Sequence, residues 1–209
     1  VYIGDPVNAI KIFNEKEVDE LCFLDINASK HGKQPDFKIL KDIASECFMP
    51  LSYGGGINSF ETVRKLTAIG FEKVIINSAA YKNKKLIPEL SKYFGVSTIV
   101  GSIDVRKNWY GKEEVRIQSG TKKIPFSPEE WAMQLESQGA GEIIINSIDN
   151  DGEMCGYDID LIKRISSKVS VPVIAAGGAR NLADIEDAMR IGGASAAAAG
   201  AMIVFHGKH

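Results

Sequence analysis

Asp104 closes the apolar run TIVGSID at 98 to 104, and a carboxylate at the end of a buried strand can give or take a proton at a substrate. Three glycines at 54 to 56, in MPLSYGGGINS, and a glycine pair at 177 and 178, in VPVIAAGGARN, each stand between an apolar stretch and the start of helical periodicity. Glycine there lets the main chain approach an anion closely, and the N–H groups and dipole of the following helix favour phosphate. One dipole contributes only about 0.3–1 kcal/mol, so several donors must act together. Each group has a neighbouring loop of matching kind: Asn77 and Ser78 accompany Gly55 and Gly56, and Ala199 with Gly200 accompanies Gly177 and Gly178. The expectation is two phosphate sites and a substrate phosphorylated at both ends, although tight turns alone would also use these glycines. Asp25, Asn146, Asp149, Asp151 and Gly152 end other apolar runs, the last three in SIDNDG, where they are substrate contacts, turn formers or both.

These residues need a frame that brings strand ends to one rim. Apolar β-branched runs recur at 21–26, 50–53, 73–78, 97–104, 142–149, 172–176 and 195–199, several apolar on successive residues as in strands buried on both faces. Helical periodicity lies between them at 6–17, 36–47, 59–69, 84–94, 128–138, 158–168 and 181–191. Strand and helix in alternation predict parallel βαβ units. One interruption, about 105–123, alternates polar residues on both sides of Tyr110-Gly111 and predicts an inserted β-hairpin with Trp109 and Tyr110 at its tip. Trp131 reads as a packing residue of a helix, and Lys84-Lys85 and Lys122-Lys123 as solvated faces.

The second glycine stretch repeats the first at a spacing of 122 residues: Pro50, Gly55, Gly56, Phe60, Val63, Leu66, Ile69 and Gly70 precede Pro172, Gly177, Gly178, Leu182, Ile185, Ala188, Ile191 and Gly192 by that interval. A gapless repeat of strand, loop and helix predicts two similar halves of a (β/α)8 TIM barrel, one domain over 1–209. Carried back by the same spacing, the counterpart of Asp104 falls upstream of Val1, so the barrel's first strand and its C-terminal helix are expected outside these residues.

With 209 residues, 44% hydrophobic and 25% charged, the chain can bury a sizeable core. A net charge of −2 with scattered Lys and Arg argues against nucleic acid as the main partner. No apolar run reaches the roughly 18 residues of a membrane helix. Cys22, Cys47 and Cys155 have no CxxC spacing, which supports neither a disulfide framework nor zinc and fits a reducing cytoplasm. His31, His206 and His209 have no ligand spacing either, so no metal and no cofactor is expected.

GDPV at 4–7, DELCFLDINAS at 19–29, YGGGI at 53–57, VIINSAA at 74–80, GSID at 101–104, GAGEIIINSIDNDG at 139–152, GYD at 156–158 and AAGGA at 175–179 together resemble the cyclase subunit of imidazole glycerol phosphate synthase, the HisF family. The match runs in order along the whole chain. It implies a glutaminase partner docked at the N-terminal face of the barrel, from which ammonia passes through the barrel to a bisphosphorylated phosphoribulosyl-formimino aminoimidazole carboxamide ribonucleotide. The products are imidazole glycerol phosphate and aminoimidazole carboxamide ribonucleotide, a lyase and cyclase reaction run by two aspartates. Asp104 matches the second of them. Gly55, Gly56, Asn77 and Ser78 match one phosphate site, and Gly177, Gly178 and Gly200 the other. Asn146, Asp151 and Gly152 match the substrate-facing stretch of a barrel strand, and Ser119 matches a serine in the hairpin. Glu20, Lys73 and Glu142 resemble the charged gate at the ammonia entrance, a pattern that simple ion pairing also explains.

The chain departs from that family in places. Ala176 and Gly200 stand where the histidine enzymes usually carry serine, and Asn146 replaces a usual threonine. The ending AAAAGAMIVFHGKH resembles a paralogous branch that delivers ammonia for amidation of a surface sugar. SIDNDG and DELCFLDINAS separate the chain from the related isomerase. A non-catalytic scaffold for the glutaminase is the third possibility.

Overall fold

The computed structural model describes residue 10, residues 13 and 14, and residues 18 to 205. Of the helix expected at 6–17, only Ile10, Phe13 and Asn14 fall among them; His206 and His209 lie outside. The chain divides into two compact halves, Val1–Ile99 and Val100–His209. Each half is a set of parallel strands alternating with helices.

The first half contains β1 (Leu21–Leu24), α1 (Ile26–His31), α2 (Phe37–Glu46), β2 (Leu51–Gly54), α3 (Phe60–Ile69), β3 (Lys73–Ile76), α4 (Ser78–Lys82) and α5 (Leu86–Phe94). Strand β2 lies between β1 and β3, parallel to both, with Gly54 opposite Leu24 on one side and Ile75 on the other. All four β2 residues are buried. That is why this run lacks the apolar-polar alternation of a half-exposed strand. Helix α3 starts where the Ser59 hydroxyl accepts from the Thr62 N–H, and it buries Thr62, Val63 and Leu66. Each fully buried aliphatic side chain of this kind contributes about 1.5–3 kcal/mol.

Strand β4 (Ile99–Lys107) begins on the last residue of the first half, and the second half, which holds the rest of it, continues with β5 (Glu113–Ile117), β6 (Lys122–Lys123), α6 (Pro128–Gln138), β7 (Glu142–Ser147), α7 (Ile159–Ser166), β8 (Val173–Ala176), α8 (Leu182–Arg190), β9 (Ala196–Ala197) and α9 (Ala201–Phe205). Here β4, β7, β8 and β9 run parallel in that order, with Asp104 opposite Asn146 and Asn146 opposite Ala176. Strand β4 also pairs antiparallel with β5, and β5 with β6, so the expected hairpin is present and carries a third short strand. Helix α6 begins with a Ser127–Glu130 capping box and Pro128 at its first turn, and it ends at Gly139 with φ 108°. Gly101 lets it pack closely, since a Cβ there would stand 2.9 Å from Leu135 Cδ1.

The repeat seen in the sequence recurs as repeated local chemistry. Asp36 and Asp158, 122 residues apart, are the N-caps of α2 and α7, and Ser59 and Asn181, at the same spacing, cap α3 and α8. Such caps are worth about 1 kcal/mol each. Three short helices, α1, α4 and α9, were not anticipated, because five or six residues are too few to display a helical period. The strand expected at 195–199 shrinks to two residues. The one expected to end at Asp104 continues to Lys107, because β5 pairs with its extension.

Candidate functional site

In the second half, three neighbouring strands set Asp104, Asn146 and Ala176 side by side, and Gly177 follows directly. The closeness is tight: a Cβ at Gly177 would stand 2.7 Å from both Asn146 Oδ1 and the Ser147 carbonyl oxygen. A Cβ at Gly178 would stand 2.2 Å from the Gly156 carbonyl oxygen. These two glycines, with φ of 82° and 111°, therefore have a packing task that the sequence did not reveal: they admit the backbone of the loop after β7. The first half repeats the arrangement. A Cβ at Gly55 would stand 2.4 Å from the Asp25 carbonyl oxygen, and one at Gly56 2.5 Å from that of Lys33. Asp25 and Ser147 are themselves 122 residues apart.

The expected pairs of loops are adjacent within each half. Gly55 and Gly56 follow β2 while Asn77 and Ser78 follow its neighbour β3, with Ser78 opening α4. Gly177 and Gly178 follow β8 while Gly200 follows its neighbour β9 and opens α9. Gly200 differs from the others: its φ is not in the left-handed region and its Cβ position is open. Asp25 spends Oδ1 on capping α1, accepting from the Asn27 and Ala28 N–H groups at 3.0 and 2.9 Å.

The loop after β7 is a series of tight turns, with Met154 at φ 50° and Gly152 and Gly156 at 81° and 95°. Asn150 and Asp151 donate their N–H groups to the Ser147 carbonyl. Crowding by surrounding protein raises the Asp151 carboxyl above its ordinary range, partly offset by the Gly152 N–H. Asp149 anchors the loop to the hairpin: Oδ2 accepts from the Lys107 N–H at 2.7 Å, and Oδ1 lies 3.6 Å from Arg106 Nε.

The hairpin, which carries Ser119, is organised by one charge. Glu114 is only 7% exposed. Its carboxylate accepts from Lys123 at 2.9 Å, Asn108 at 3.1 Å and Arg116 at 2.5 Å. The Lys123 and Asn108 hydrogen bonds lead in holding it well below the usual carboxylate range, at about 2. Lys123 is therefore part of the hairpin's frame, where a merely solvated face was expected. Arg116 stands opposite Asp104 in the β4–β5 ladder. Ser119 sits between Gln118 and Gly120, all three at positive φ (55°, 55° and 77°). At the far tip, Trp109 and Tyr110 are 96% and 91% exposed. The hairpin is fastened to the helices by Lys107 to Asp158 at 3.0 Å and by Arg164, which reaches both Glu113 and Glu129.

At the opposite strand ends, Lys73 begins β3 and donates to Glu20 at 2.7 Å, both side chains partly exposed. Glu142 begins β7 in the other half. Burial pushes the nearby Cys22 thiol up to about 11, with the Ser52 hydrogen bond opposing and the Glu20 charge adding to it. The thiol is thus held in its protonated form at neutral pH.

Sequence reasoning assigned no role to Glu114 and Tyr157, whose partners Lys123, Asn108 and Ala198 come from other elements, or to Arg116 and Asn150, which bond within their own strand and loop. GYD at 156–158 was a signal available in one dimension, a glycine and a capping aspartate around a tyrosine.

Parallel strands with carboxylate, amide and glycine loops at their C-terminal ends define a protein of the β/α-barrel class. The model of the histidine biosynthesis protein family matches residues 1–209, and the chain belongs to that family, whose fold is the (β/α)8 barrel. Among curated relatives, a Pseudomonas aeruginosa protein named "Putative imidazole glycerol phosphate synthase subunit hisF2" is 50% identical over 208 residues, 100% of this chain and 83% of that one. A Leptospira interrogans protein, "Putative imidazole glycerol phosphate synthase subunit HisF", is 44% identical over 209 residues, covering 100% and 82%. One from Vibrio vulnificus, with the same name ending in "hisF3", is 44% identical, covering 100% and 80%.

Proposed function

We propose that this protein is the cyclase subunit of an imidazole glycerol phosphate synthase. The observation that carries the reading is the alignment of Asp104 with Asn146 across adjacent strand ends, beside a glycine loop whose counterpart recurs in the other half. The names of the full-length relatives point the same way. The substrate is the phosphoribulosyl-formimino aminoimidazole carboxamide ribonucleotide, its phosphates resting on Gly55, Gly56, Asn77 and Ser78 at one end and Gly177, Gly178 and Gly200 at the other. Ammonia enters past Glu20, Lys73 and Glu142 from a glutaminase partner. It forms a C–N bond to the substrate's ketone carbon with loss of water. The new nitrogen then closes on the formimino carbon as the C–N bond to aminoimidazole carboxamide ribonucleotide breaks. Asp104 moves protons in these steps, accepting from the attacking nitrogen and donating to the departing one. Asp151 and Ser119 contact the substrate between its phosphates.

The second reading, ammonia delivery for amidation of a sugar, is favoured by Ala176 and Gly200, which offer no hydroxyl to the second phosphate. The deciding experiment supplies the protein with the bisphosphate nucleotide and an ammonium salt. Formation of imidazole glycerol phosphate is the expected result. No turnover there, together with amidation of a sugar acceptor when a sugar amidotransferase is added, overturns the cyclase reading in favour of the second. A protein inert in both assays, yet stimulating a glutaminase, is a scaffold.

A further inference from the structure

The tripeptide Gly156-Tyr157-Asp158 ties the loop after β7 to four places. The Gly156 N–H donates to the Gly178 carbonyl at 2.8 Å, while the Gly156 carbonyl accepts from Asn150 Nδ2 at 2.9 Å. The Tyr157 hydroxyl donates to the Ala198 carbonyl at 2.9 Å, two residues before Gly200. Asp158 caps α7 through the Leu161 N–H and holds Lys107 of the hairpin strand. Tyr157 is 7% exposed, its ring packed in a cluster with Ile162, Ala175, Ala179, Ala188 and Ala194. A buried tyrosine hydroxyl ordinarily needs a partner. Here the partner is the main chain of the loop that carries Gly200.

This arrangement bears on how an anion would be held. Ala176 and Gly200 have no hydroxyl, so a phosphate at the ends of β8 and β9 relies on main-chain N–H groups. Those groups cannot rotate like a serine side chain; their aim is the aim of the loop. We infer that Tyr157 is a positioning residue for the second phosphate site, bracing the loop after β9 against the loop after β8 so that their N–H groups converge on one phosphate. The inference rests on the phosphate reading above and gives it a one-sided character. The position 122 residues earlier is Pro35, which has no hydroxyl, and the first half retains the Ser78 hydroxyl as a donor. The brace exists where side-chain donors are missing. Burial keeps the phenol protonated, pushing it up to about 12 with the Asp184 charge adding, so it remains a donor at neutral pH.

The test is a titration of the 15N-labelled protein with inorganic phosphate, following the amide signals of Gly55, Gly56, Gly177, Gly178 and Gly200 in the parent and in Tyr157→Phe. It is run well below either protein's melting temperature, so that lost stability alone does not change the readout. The expected result is a dissociation constant raised about 3- to 10-fold at Gly177, Gly178 and Gly200 in Tyr157→Phe, the range for one lost hydrogen bond, and unchanged at Gly55 and Gly56. Equal affinity of parent and variant at the second site overturns the inference and leaves the phosphate reading standing. Equal weakening of both sites makes Tyr157 a general fold residue and also overturns it. Failure of the parent's glycine amides to respond to phosphate overturns the phosphate reading, and the inference with it.

Discussion

Gly178 and Gly152 both hold positive φ, 111° and 81°, yet they meet different surroundings. A Cβ at Gly178 would collide with the Gly156 carbonyl, while one at Gly152 meets open space. Gly178→Ala should therefore cost upwards of ~2 kcal/mol, from the clash plus backbone strain, and Gly152→Ala about 1 kcal/mol from backbone strain alone. Thermal melts of the two variants check this ordering; equal melting temperatures would contradict the packing role. Tyr53 offers the opposite prediction. Its buried hydroxyl has no hydrogen-bond partner among the described residues. Tyr53→Phe should stabilise by roughly 1 kcal/mol and raise the melting temperature by about 2–4 °C. If Asp104 carries protons as proposed, Asp104→Asn, which keeps shape, should lower kcat about 10²–10⁴-fold with KM little changed. Steady-state kinetics with an ammonium salt measures this, and unchanged turnover would remove Asp104 from the chemistry.

The hairpin is the element where a buried charge, that of Glu114, adds to the apolar burial of Val115 and Ile117. Glu114 has a folded-state carboxyl held at about 2, below its ordinary 4.5. A depressed carboxyl stabilises the fold above its unfolded value, and the contribution is lost as pH falls through the folded one. Hydrogen exchange of the β5 amides, corrected for intrinsic rates, should show protection declining between pH 4.5 and about 2. In Glu114→Gln protection should be lower at neutral pH and lose that dependence. The hairpin's existence was legible from polar alternation around Tyr110-Gly111. Its organising charge was not, because Glu114 meets Lys123 and Asn108 only after the strands pair.

At the scale of the whole molecule, the spacing of 122 residues links the helix caps and the glycine loops of the two halves. The candidate site residues Asp104 and the glycines lie toward the C-terminal ends of the strands, whereas the Glu20–Lys73 pair, at 2.7 Å, lies where the strands begin. If that pair gates ammonia, Lys73→Ala should change the ratio of glutamine-dependent to ammonium-dependent turnover in the complex with a glutaminase. An unchanged ratio would reduce the pair to an ion pair holding two strands, worth about 1 kcal/mol or less at this exposure.

Periodicity, the glycine repeat and the run ending at Asp104 were enough by themselves to predict parallel βαβ halves and to nominate most site residues, because burial on both faces and helix-entry turns leave marks at fixed local spacing. The tasks of individual residues needed the tertiary structure. Nothing in one dimension says that Gly178 must admit the Gly156 carbonyl, that Asp149 anchors a hairpin, or that Tyr157 braces a loop 41 residues away. Those roles are set by backbone-to-backbone approach and by hydrogen bonds between strand ends, which leave no periodic mark and exist only once neighbouring strands are in register.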